Sequence, residues 1–162
     1  MIRHCEQSDF NQILGIINEA AEIYRGIIPN DRWKEPYMSA EELADEIAAG
    51  VNFDGYEITG IGLIGVMGTQ SVEDVTLVRH AYVRPQHQRS GIGSQLLVRL
   101  CERLDCPILV GTWAAAQWAI AFYQRHGFEL VSASEIPTLL RRYWTIPERQ
   151  TETSVVLVKA RR

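Results

Sequence analysis

Residues 88–94 read Gln88-Arg89-Ser90-Gly91-Ile92-Gly93-Ser94, small and polar side chains set between a strand-like run and an apolar helical stripe. A turn of this kind can do one sort of chemistry, the binding of an anion. A helix N-terminus carries about half a positive charge and several unpaired N–H donors. Gly91 and Gly93 lack the β-carbons that would hold an anion away, and Arg89 adds a cation. The Lys-Ser/Thr pair of a triphosphate loop is missing, which argues against nucleoside-triphosphate hydrolysis. On these residues alone, a phosphate cradle and an ordinary strand-to-helix turn both stay open.

A second stretch, "GIGLIG" at 60–65, spells G-x-G-x-x-G. A dinucleotide fingerprint must leave a strand and open a helix, so that the pyrophosphate sits on the helix N-terminus. Here the chain runs on into "VMGTQS", and Pro85 stands where an acidic ribose partner would be expected. The glycines therefore read as a tight turn and close packing within strands.

The elements that must position the cradle follow from periodicity. "MIRHC" suits a short first strand. Phe10, Ile13, Leu14, Ile17, Ala21 and Tyr24 recur at helical spacing behind Ser8-Asp9. Ser39 and Glu42 form a capping box for a second helix ending at Gly50. Three strand-like runs come next, "VNFDGYEI", "GIGLIGVMG" and "DVTLVRHAYV", the last closed by Pro85. A helix from about Gly93 to Leu104, a strand at "PILVGTW", a helix from about Ala114 to His126 and strands at "FELV" and "TSVVLV" complete the chain. The long connection "SASEIPTLLRRYWTIPERQ" separates those last two strands.

With 162 residues, 46% of them hydrophobic and 22% charged, the whole of 1–162 reads as one α+β domain with a sizeable core. A net charge of -4 without dense Lys/Arg runs speaks against a nucleic-acid groove or an anionic membrane surface as partner. No apolar stretch of about 18 residues is present. Cys101 and Cys106 have no second pair to complete a zinc site, so no metal is expected and the three cysteines read as thiols of a cytoplasmic protein.

Taken further, the strand end Tyr82-Val83-Arg84-Pro85 followed by Gln88-x-x-Gly91-x-Gly93 and an amphipathic helix resembles motif A of the GNAT superfamily of N-acetyltransferases. Ala119-x-x-x-Tyr123-x-x-x-Gly127-Phe128 resembles motif B of that family. The resemblance covers most of residues 1–158 and is least typical between Ser132 and Thr153. It implies a GNAT-like fold, with a mixed, mostly antiparallel sheet splayed in the middle and helices on both faces. It implies acetyl-CoA as co-substrate and an amine, most simply that of a small molecule, as acceptor. Main-chain groups of Ala81, Tyr82 and Val83 would bind the pantetheine arm as an added strand. The amides of Gln88, Arg89, Ser90, Gly91, Ile92, Gly93 and Ser94 would take the pyrophosphate.

Tyr123 stands where the family places its general acid, in reach of the departing sulfur, and a main-chain N–H near Val83 would polarise the thioester carbonyl. The base is less determined. Relatives often carry a carboxylate on the strand before motif A, whereas "VTLVRHAYV" offers none. His80 is the one side chain there whose type transfers protons near neutrality, and proton removal through water is the alternative. Ala116 replaces the Asn that the family often uses to bond the cofactor arm. Trp113 and Trp118 read as core, with a wall for the cofactor arm as the alternative. Tyr24, Trp33, Glu35, Tyr37, Tyr143 and Trp144 are candidates for a cationic acceptor, and "TIPERQTETS" for a pocket wall or a homodimer contact. Two rivals stand beside this reading: a catalytically weak coenzyme A-binding module acting as sensor or interaction domain, and a nicotinamide enzyme using "GIGLIG".

Overall fold

Alternating apolar residues, with left-handed glycines at Gly50, Gly60 and Gly62, fold the first half into a meander. In a computed structural model, which describes residues 1–146 and 148–161, β1 (Ile2–His4), β2 (Asn52–Ile58), β3 (Gly62–Val72) and β4 (Val75–Val83) lie side by side, each antiparallel to the next. β5 (Ile108–Trp113) joins β4 in parallel, and β7 (Ser154–Lys159) pairs antiparallel with β5 and with the short β6 (Glu129–Leu130). The order β1-β2-β3-β4-β5-β7-β6 makes a mixed, mostly antiparallel seven-stranded sheet in an α+β fold.

The sheet opens in its middle. β4 and β5 pair only over Thr76–Val78 and Ile108–Val110. From Arg79 to Val83, β4 keeps β3 on one side and has no strand on the other, while β5 stays on β7 as far as Trp113. A bulge accompanies the parting. Val66 faces Tyr82 and Gly68 faces Arg79, so Met67 alone stands opposite His80 and Ala81. His80 has φ +52°, the left-handed setting that this class of bulge ordinarily gives to glycine.

Helices cover both faces. α3 (Ile92–Arg103) and α4 (Gln117–Arg125) bury Leu96, Leu97, Leu100, Ile120 and Tyr123 against Ile64, Val78, Val110 and Leu157. On the opposite face, α1 (Phe10–Ala21) and α2 (Ala40–Ala48) bury Ile13, Ile16, Ile17 and Leu43 against Phe53, Leu63 and Val66. Ser39 caps α2 through its hydroxyl, which accepts from the Glu42 amide at 3.1 Å.

The connection from Ser132 to Thr153 is helical in part, which the apolar pattern does not announce. It holds α5 (Ile136–Tyr143) and the short α6 (Glu148–Glu152); Pro147 lies outside the described residues. Ile136, Leu140 and Tyr143 sit at i, i+4 and i+7 and close the core over Leu77, Leu109 and Val156. Pro137 obscures that period but falls in the first turn, where a helix tolerates it. α4 also begins at Gln117, three residues later than the apolar pattern suggests. All three cysteines are thiols, and no helix among the described residues is long and apolar enough to cross a membrane.

Candidate active site

A cavity of about 500 Å³ runs through the gap between β4 and β5. Its walls are Ala81, Tyr82 and Val83 of β4, Val66 and Met67 of β3, the start of α3, one face of α4, Ala20 at the end of α1, and Ile23 and Tyr24 in the turn that follows it. Because β3 and β4 exchange bonds at alternate residues, and Arg84 N–H already donates to Ile64 at 2.8 Å, the main-chain groups of Ala81 and Val83 point away from β3 into the gap. The Val83 carbonyl accepts from the Gln88 side chain at 3.0 Å, which ties the strand end to the loop that follows.

That loop has a geometry suited to an anion. Arg89 has φ +60° and Gly91, the N-cap of α3, has φ +81°. Successive amides around such left-handed residues converge into an anion-binding concavity. Among the described backbone hydrogen bonds, none is donated by the amides of residues 89–94; the next donor is Gln95, to Gly91 at 3.0 Å. A β-carbon on Gly91 would meet nothing nearer than Gln95 Nε2 at 3.9 Å, so the face above it is open. Gly93 packs its bare Cα toward the Phe122 ring, which an added β-carbon would meet at 3.6 Å. His87, Arg89 and Arg125 supply cationic types along this end of the cavity. Ser90 turns its hydroxyl to the His87 carbonyl, and the Ile92 side chain is buried in the core, so these two face the cradle through their amides alone.

At the other end stand the phenols. Tyr123 lies on α4 between Phe122 and Phe128, with ring centroids 5.1 and 5.5 Å away, both edge-on. Burial, with the nearby Tyr24 phenol, pushes its pKa well above that of a free tyrosine, so the hydroxyl keeps its proton. Burial, with Tyr37 close by, also pushes Tyr24 up to about 12. Tyr82 is raised for the same reasons, by burial first and by its two phenolic neighbours second. Tyr24 stacks on Trp118 at 5.8 Å and meets Tyr82 edge-on at 6.4 Å.

The structure gathers nine of the expected residues around one cavity: Ala81, Tyr82, Val83, Gln88, Arg89, Gly91, Gly93, Ser94 and Tyr123. It does not bring His80 there. The bulge turns His80 toward α2, where Nε2 meets Glu46 Oε2 and the ring stacks on Phe53 at 6.3 Å. Its side chain is absent from the cavity lining, and among the described residues no carboxylate belongs to that lining either. Of the two readings open for the tryptophans, Trp118, 40% exposed, takes the cavity wall, whereas Trp113 is buried in the core. Ala116 is fully buried beside Ala21, Tyr24 and Trp113, so an apolar seal occupies the place of the missing Asn.

The acceptor candidates divide. Tyr24, Trp33 and Tyr37 cluster with Tyr82 and Trp113, but Arg25 already lies over the Trp33 ring at 4.5 Å and pairs with Glu35 at 2.8 Å. Tyr143 donates to Asp74 at 2.8 Å under α5, and Trp144 packs against Gly111; both belong to the other cluster. A further cavity of about 510 Å³ opens beside Trp113, between Ile27-Ile28-Pro29 and Glu152-Thr153 of the α6 segment. Phe122 and Arg125, which the sequence reading does not assign to the site, join Trp118 and Ala119 at helical spacing on one face of α4, and that period is the signal that could have found them.

The GNAT acetyltransferase domain family model matches residues 51–130, which hold β2 to β6 with the cradle and Tyr123. The chain carries a GNAT acetyltransferase domain. No curated protein matches it in sequence. Solved structures of similar fold include the PaiA N-acetyltransferase from Thermoplasma acidophilum in complex with coenzyme A, 18% identical with TM-score 0.73 over 99% of this chain and 98% of that one. The ribosomal-protein-S18-alanine N-acetyltransferase from Escherichia coli is 20% identical with TM-score 0.71 over 99% and 92% of the two chains. A GNAT-family acetyltransferase from Staphylococcus aureus Mu50 is 14% identical with TM-score 0.72 over 99% and 98%. In this chain the "GIGLIG" stretch belongs to a hairpin: Gly60 takes φ +83° in the β2–β3 turn, Gly62 φ +98° at the first residue of β3, and Gly65 packs where a β-carbon would lie 3.0 Å from Ile92. No helix follows it.

Proposed function

We propose that this protein transfers an acetyl group from acetyl-CoA directly to a primary amine. The observation that carries the reading is the run of unpaired amides at 89–94, opening onto a cavity that threads the sheet and ends at a protonated phenol. The thioester supplies an activated acetyl group with a thiolate as leaving group. The amides of 89–94 hold the pyrophosphate, and the gap-facing groups of Ala81 and Val83 pair with the two amides of the pantetheine arm. A β4 amide beside the bulge donates to the carbonyl oxygen as negative charge develops there. The amine nitrogen bonds to that carbon, the C–S bond breaks, and Tyr123 gives its proton to the sulfur. The proton lost by the amine leaves through water and restores the phenol, since the lining contains no carboxylate and its other phenols keep their protons. The cavity beside Trp113 gives the acceptor its approach, with Glu152 at its rim. The neighbour that holds coenzyme A supports the choice of co-substrate.

The missing carboxylate favours one second reading, a coenzyme A-binding module with little catalysis. Thermal unfolding with acetyl-CoA, coenzyme A and NADH, followed by thiol release with a panel of amines, separates these readings. A ligand at 100 times its Kd adds about 2.7 kcal/mol, or roughly 5–10 °C. A rise with acetyl-CoA and amine-dependent thiol release is expected. A rise without turnover favours the binding module, and a rise with NADH alone overturns both.

A further inference from the structure

The residue at the β4 bulge is an anomaly. A bulge of this kind wants glycine at the left-handed position, and this chain puts histidine there, at φ +52°. A side chain held in that region persists only where its surroundings over-determine it. Here they do so from three sides. Arg79 and His80 are consecutive, and in a regular strand they would point to opposite faces. The bulge turns both toward α2, where Arg79 Nη2 donates to Glu46 Oε1 at 3.2 Å and His80 Nε2 meets Glu46 Oε2. Arg79 Nη1 also donates to Gln70 of β3 at 2.9 Å. Phe53 of β2 lies along the imidazole. Across the ladder, Gly68 leaves room, since a β-carbon there would stand 2.6 Å from the Arg79 carbonyl and 2.9 Å from Phe53. Glu46 meets these two side chains as a carboxylate. Burial pushes its carboxyl up, but the His80 bond with the nearby His80, Arg79 and Lys34 charges brings it below the usual glutamate value.

We infer that Glu46 is a positioning residue, and that His80 serves the site as the handle by which α2 grips the bulge. The pair holds β4 in the conformation that parts it from β5 and turns the Ala81 and Val83 main-chain groups into the gap. The catalytic consequence rests on the acetyl-transfer reading; the geometry does not.

The test reads two quantities in ligand-free and turning-over protein: the ¹⁵N–¹H shifts of residues 79–83, and kcat beside the KM for acetyl-CoA. Glu46→Ala should move those shifts and lower kcat by about tenfold or more, with a folded thermal transition and a KM changed far less. Glu46→Gln keeps one acceptor oxygen and should recover part of the loss. His80→Gly removes the handle but lets the backbone take the bulge unaided, so kcat should stay within about threefold of the parent, and adding Glu46→Ala to it should change little more. Unmoved shifts and kcat in Glu46→Ala would overturn the inference. So would a His80→Gly variant as impaired as Glu46→Ala with additive losses in the double variant, since His80 would then act chemically itself. If the parent protein shows no turnover, the acetyl-transfer reading fails by itself, and the amide shifts still decide the role of Glu46.

Discussion

Replacing Gly91 with glutamate tests the cradle at its centre. In the protein alone the new side chain has space, because the only atom within 4 Å of its β-carbon is Gln95 Nε2 at 3.9 Å. The backbone at φ +81° is another matter, and a side chain in that region costs about 1–2 kcal/mol. In a domain of this size that lowers Tm by roughly 2–8 °C. With ligand the difference is larger. A carboxylate about 4 Å from a phosphate charge, at an effective dielectric near 20, opposes binding by about 4 kcal/mol, or some three orders of magnitude in Kd. Calorimetry or thermal shift with coenzyme A reads both effects, and Gly91→Asn, uncharged and tolerant of a positive φ, separates strain from repulsion. Gly60→Asn is the companion control. It sits in the β2–β3 turn at φ +83° with nothing within 4 Å of its β-carbon, and should leave the Kd unchanged. Parental affinity in Gly91→Glu would show that the pyrophosphate lies elsewhere; lost affinity in Gly60→Asn would reinstate the hairpin glycines as a nucleotide site.

Tyr123→Phe keeps the packing against Phe122 and Phe128 and removes only the hydroxyl. Turnover should fall by about 10²-fold with coenzyme A affinity near parental, and undiminished turnover would take the acid role from this residue. Asp9 gives a stability prediction. The Arg3 guanidinium binds both its oxygens, at 2.8 and 2.9 Å, and with the Glu6 amide holds the carboxyl at about 2 against an ordinary 3.8. A depressed folded-state value contributes stability above the unfolded value and loses it as pH falls from about 4 to about 2. The difference is about 2 kcal/mol at neutral pH. Asp9→Asn should therefore lower Tm at pH 7 and flatten its dependence between pH 4 and pH 2; an unchanged acid slope would contradict the assignment.

The sequence alone carried the local decisions of this fold. Pro85 ends β4, Gly91 starts α3, Ser39 starts α2 and Gly127 follows α4, because each terminator acts through its own backbone geometry and needs no distant partner. The open turn at 88–94 was legible for the same reason: its glycines, its helix and its preceding strand are contiguous. Even the false nucleotide motif could be dismissed from its neighbours in the chain.

What tertiary structure decided are matters of which faces meet. The role of His80 turned on a bulge, and a bulge is a difference in residue count between two paired strands, invisible along either one. Its partner Glu46 comes from a helix 34 positions away. Trp118 and Trp113 look alike in sequence, yet the exit of β5 buries one and the opening of the sheet exposes the other. The gap itself is a pairing that stops after Val78 and Val110, and no residue type records where two strands part. Short-range chemistry set the ends of the elements, and long-range packing set the direction in which their side chains look into the site.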